Sequence, residues 1–133
     1  ELQRKVEKKE FEESARIMER MLQVSSNARG MSLMTVSVLS SYFNRLSKLD
    51  GCQSRGIPHG ELAKASGIPP FVLKDYQAAL KRFSASERDA ATSALLAADT
   101  ELKGGSGRDD RLILALLLRR LTSNSRNMAR QVT

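Results

Sequence analysis

Apolar residues recur along this chain at intervals of three and four, the spacing of helices rather than strands. Phe11, Ala15, Met18 and Leu22 fall on one stripe, with Ile17 and Met21 beside it, which predicts an amphipathic helix from Phe11 to Gln23. Ser25 to Gly30 interrupts the pattern with small polar residues and a glycine. A longer helix is predicted from about Met31 to Leu49. Met31, Met34, Val38, Tyr42 and Leu49 lie near one face of it, and Val36, Leu39, Phe43 and Leu46 widen that face. One neighbour cannot cover so much apolar surface, so this helix is expected at the centre, packed on at least two sides.

Glycines and prolines punctuate the middle of the chain. Gly51, Gly56, Pro58 and Gly60 predict a loop over 50–60. Glu61 to Ser66 predicts a short helix closed by Gly67. Pro70 suits the first turn of the next helix, which carries Val72, Tyr76, Ala79, Leu80 and Phe83. Ser84 and Glu87 form a capping-box signature ahead of a helix whose stripe is Ala91, Ala94, Leu95, Ala98 and Leu102. Lys103-Gly104-Gly105-Ser106-Gly107 is expected to be a flexible link. Asp109 or Asp110 is expected to cap a last helix with Leu112, Ile113, Leu116, Leu117 and Leu121. The fold class expected is therefore all-α, a compact bundle of five or more helices over residues 11–122. Residues 1–10 read as a linker or the end of a preceding helix, and 123–133 as a polar tail.

Composition agrees with this outline. Hydrophobic residues make up 41% and charged residues 28% of the 133, as in ordinary globular domains. Aromatics are 5% and Trp is absent, so Leu, Ala, Ile, Val and Met must build the core, a set that suits helices. The net charge of +7 fits a nucleic-acid neighbour or an acidic protein partner. Cys52 is the only cysteine, which excludes an intrachain disulfide and a Cys-based zinc site; a reduced, cytoplasmic setting is expected. The longest apolar run, Leu112 to Leu118, is far short of the ~20 residues of a membrane span. The chain opens at Glu1, inside a helical pattern, and is expected to be part of something longer.

Catalytic chemistry has little to stand on. His59 is the only histidine, flanked by Pro58 and Gly60, and the spacing supplies it with no orienting carboxylate or nucleophile. The 103–107 glycines lack the order of a phosphate-binding loop and follow a helix instead of a strand. Asp99, Glu101, Asp109 and Asp110 do not match the spacing of a calcium loop. No catalytic residue, cofactor or metal is expected.

Glu61 to Phe83 offers two readings, a DNA-reading helix-turn-helix or a hairpin within an assembly domain. In the first, Pro69-Pro70-Phe71-Val72-Leu73 would open the reading helix, and that turn is apolar where base-reading helices carry polar side chains. It is better suited to packing against another helix. Lys74, Lys81 and Arg82 remain as candidate nucleic-acid contacts, with Gln77 beside them. Six arginines against two aspartates make 108–133 basic, so that it fits either a phosphate backbone or an acidic subunit surface.

Three stretches together resemble the C-terminal helical domain of the delta subunit of bacterial DNA polymerase III. They are Lys8 to Leu22, Leu62 to Phe83 with its Gly67-Ile68-Pro69-Pro70-Phe71-Val72 core, and Leu95 to Gly104 with its Asp-x-x-Leu-Lys-Gly string before a Leu-rich helix. The resemblance covers nearly the whole chain except the loop near Cys52 and the tail after Leu121. It implies a part in DNA replication, within the clamp loader that opens and loads the sliding clamp. It further implies a collar domain that packs beside equivalent domains of the other clamp-loader subunits, of the gamma/tau and delta-prime types, in a five-membered ring. The sliding clamp would be touched only through modules N-terminal to this domain. The resemblance implies no ATPase activity, and it allows a weak DNA contact. Surplus apolar surface on the central and last helices marks Tyr42, Leu112 and Leu116, with Arg119 and Arg120, as the expected subunit interface.

Overall fold

The computed structural model describes residues 11–24, 28–105 and 107–122. The expected linker at 1–10 and the tail at 123–133, with Arg126 and Arg130, lie outside these residues. Among them there are six α-helices and no strand: α1 (Phe11–Val24), α2 (Ala28–Ser54), α3 (His59–Ser66), α4 (Leu73–Leu80), α5 (Ala85–Thr100) and α6 (Asp110–Thr122). A 3₁₀ turn at Pro70–Val72 leads into α4, and a wider π-type turn at Glu101–Gly105 follows α5. No helix among the described residues is long and apolar enough to cross a membrane.

The long helix α2 is the hub, packing against α1, α3, α4, α5 and α6. Its 27 residues span roughly 40 Å at about 1.5 Å per residue. The buried face is Val36, Leu39, Tyr42, Phe43, Leu46, Leu49 and Cys52, joined by Ser32 and Thr35. Thr35 keeps its hydroxyl satisfied by donating to the Met31 carbonyl at 2.9 Å. Of three ring contacts, two bind this helix to the second half of the chain and one joins neighbours within it. Tyr42 meets Tyr76 at 5.1 Å and Phe43 at 5.3 Å, and Phe43 meets Phe83 at 5.2 Å.

Two features of α2 differ from the sequence expectation. First, the helix runs through Asp50 and Gly51 to Ser54, where the sequence predicts a loop. Burial of Leu49 and Cys52 on the continuing face outweighs the ~1 kcal/mol that a helical glycine costs. The actual stop is Gly56, at φ +77°. There the Ile57 N–H donates to the Cys52 carbonyl (3.2 Å) and the Gly56 N–H to that of Gln53 (3.1 Å), a Schellman closure. Second, Met34 and Val38, predicted on the core face, are exposed. The wheel is centred on Leu39 and Leu46; position 38 falls about a quarter turn from that centre and position 34 further still.

The caps at Gly67, Pro70 and Ser84 follow the pattern, whereas α4, expected to reach about Phe83, ends at Leu80 and gives way to a turn. Gly67, at φ +74°, ends α3, and both its N–H and that of Ile68 donate to the Ala63 carbonyl. Pro70 opens the 3₁₀ turn as its first residue. The capping box at α5 is complete: the Glu87 N–H donates to Ser84 Oγ at 3.1 Å, and the Ser84 N–H donates to Glu87 Oε1 at 3.3 Å. A buried arginine fixes α5 to the hub. Arg88 donates through Nη2 to Asp50 Oδ2 at 2.7 Å and through Nη1 to the Phe83 carbonyl at 3.0 Å.

Candidate interaction surface

Among the described residues no group of His, Cys, Asp or Glu is placed to hold a metal ion. His59 is the exposed first residue of α3. Cys52 is buried in the core, with its sulfur accepting from Arg55 Nη2 at 3.6 Å. What the surface does offer is large apolar side chains left outside the core: Met34, Val38, Phe71, Leu96, Leu112 and Leu116.

The last pair arises from the composition of α6. Seven of the residues from Leu112 to Leu121 are Leu or Ile, too many for one buried face. Ile113, Leu114, Leu117, Leu118 and Leu121 take the core positions. Leu112 and Leu116, four apart and so on one line of the opposite face, remain 49% and 37% exposed. Arg119 and Arg120 are exposed one turn further along the same face. At the other end stand Arg111 and Arg108, both more than half exposed. Arg111 has Glu19 at 3.8 Å and Arg108 has Glu101 at 4.0 Å, long and solvent-screened pairs of small energetic weight. Leu116 and Arg120 line a narrow crevice against Ala97 and Glu101 of the preceding segment.

Of the five expected interface residues, α6 thus brings four to one surface. Tyr42 is corrected: it is 1% exposed, enclosed by Phe43 and Tyr76 in the chain's own core, and cannot meet a partner in this fold. Lys74, Lys81 and Arg82 are exposed on α4 and the turn after it. The turn ahead of α4 packs only in part. Ile68 and Leu73 are buried and anchor its two ends, whereas Phe71 between them is 86% exposed and points away from the core.

A second depression, of about 350 Å³, runs between α2 and α5. Ser37, Ser40, Asn44 and Thr92 line it, together with Leu96. The sequence pattern hides Leu96, because Leu95 next to it carries the buried stripe. A wheel centred on Ala91, Leu95 and Ala98 places residue 96 about 130° from the centre of that stripe.

Fold and surface define a helical domain with apolar side chains left outside the core, two of them, Leu112 and Leu116, on α6 beside exposed arginines. The family to which it belongs is shown by a family model that matches residues 1–121: the chain is a member of the DNA polymerase III delta subunit, C-terminal domain family. No curated protein and no solved structure gives a match.

Proposed function

We propose that this domain joins a bacterial DNA polymerase III delta subunit to the other subunits of the clamp loader, of the gamma/tau and delta-prime types, and that its work is assembly and not catalysis. The family match supports the subunit, and the chemistry of the surface supports the task. The observation that carries it is the Leu112–Leu116 pair on the outer face of α6. Exposed leucines at helical spacing gain free energy by leaving water, at about 25 cal/mol per Å² of apolar area, and a second helix is the natural cover. A specific interface buries roughly 1,200–2,000 Å² in all, so α6 is one part of a broader contact. A replication subunit of this kind works in the cytoplasm and needs no cofactor of its own.

The test is reconstitution. A full-length delta subunit carrying Leu112→Ser and Leu116→Ser is expected to keep its helical content and to enter the loader complex at least about tenfold more weakly than the parent. Undiminished assembly of that variant contradicts the assignment of α6.

A further inference from the structure

The charges around the α6 strip bear on what kind of surface covers it. Its apolar centre is bounded at both ends by guanidinium groups: Arg108 and Arg111 before it, Arg119 and Arg120 after it. From Arg111 to Thr122 there are three arginines and no Asp or Glu; Asp109 and Asp110 stand between Arg108 and Arg111, and Asp110 lies 3.5 Å from Arg29. Glu19 and Glu101 stand at 3.8 and 4.0 Å from the half-exposed Arg111 and Arg108. Such pairs are weak enough to be exchanged for better ones.

We propose that the strip receives an acidic amphipathic helix of a neighbouring loader subunit, two apolar side chains seating on Leu112 and Leu116 with carboxylates on either side meeting the arginines. The inference rests on the assembly reading and adds the chemistry of the partner. The helix itself sets the spacing: Arg111 to Arg119 is about 12 Å at about 1.5 Å per residue, a little over two turns. The partner's carboxylates therefore lie about two turns apart on its own helix. Arginine suits this place because its planar fork takes a carboxylate through two hydrogen bonds and its stem covers apolar surface. A phosphate backbone would satisfy the arginines too, but it has nothing apolar to place on the two leucines, which would stay in water.

The proposal is tested on the full-length subunit reconstituted with its loader partners. Arg119→Glu with Arg120→Glu is compared with the milder Arg119→Gln with Arg120→Gln, with the Leu112→Ser, Leu116→Ser pair, and with the parent. Assembly affinity is followed across a salt titration and duplex DNA binding is measured in parallel. Charge reversal is expected to weaken assembly by about tenfold or more at low salt, with the deficit shrinking as salt rises and the Gln variant falling between. The Leu variant should be weak at every salt concentration. If charge reversal leaves assembly intact while the Leu variant is impaired, α6 is an interface but its partner is not acidic, and the proposal fails alone. If neither variant is impaired, the assembly assignment of α6 fails with it. Loss of DNA binding on charge reversal with assembly unchanged makes nucleic acid the occupant and overturns the proposal.

Discussion

At the scale of single residues, Arg88 and Asp50 form a part-buried ion pair that ties α5 to α2. The guanidinium is almost wholly buried, while Asp50 keeps about half its side chain in water. Truncating the carboxylate strands a buried charge, which costs more than losing a surface ion pair. Asp50→Ala is expected to lower unfolding free energy by about 1–3 kcal/mol, measured by urea denaturation. Gly67 is the clearest backbone case. A Cβ there meets no atom within 4 Å, so space is not the constraint; the positive φ is. Gly67→Ala is expected to cost about 1–2 kcal/mol through strain alone, with an unchanged m-value. The two roles differ in how far the sequence reveals them. Gly67 can be read from its place after Ala63-Lys64-Ala65-Ser66, because a left-handed helix stop selects glycine. The Arg88–Asp50 pair joins residues 38 apart and follows from tertiary packing, which no local pattern encodes.

At the scale of elements, the helices are legible wherever periodicity and caps agree. The Ser84–Glu87 box, the Gly67 stop and the Pro70 start all stand in the structure at the expected residues. The extension of α2 through Gly51 is not legible, because glycine weakens a helix locally and the compensating burial of Cys52 comes from other elements. The same distinction separates Tyr42 from Leu112. Both lie on strongly apolar helices, and only the three-dimensional ring cluster tells that Tyr42 points inward. Contrasting substitutions test the packing. Phe43→Ala removes a ring that bridges Tyr42 and Phe83 and is expected to cost about 3–5 kcal/mol. Phe71→Ser, on the exposed 3₁₀ turn, is expected to change stability by less than about 0.5 kcal/mol. Thermal or chemical denaturation of the two variants side by side checks the difference.

At the scale of the whole molecule, the helices turn their apolar faces to the core around α2, and α6 has leucine to spare. The arginines beside that surplus place positive charge at its edge, the pattern that the proposed acidic partner would match. The α6 candidates are legible in the sequence because too many leucines fall within one short helix. The exposed apolar residues of α2 and α5 are not, because they adjoin residues that do belong to the core. The most direct measurement of the central claim is radical footprinting of side chains in the subunit alone and in the assembled loader. An assembly role predicts that Leu112 and Leu116 are labelled when the subunit is alone and protected in the complex, with buried Tyr42 silent in both states. Equal labelling of the two leucines in both states would contradict it.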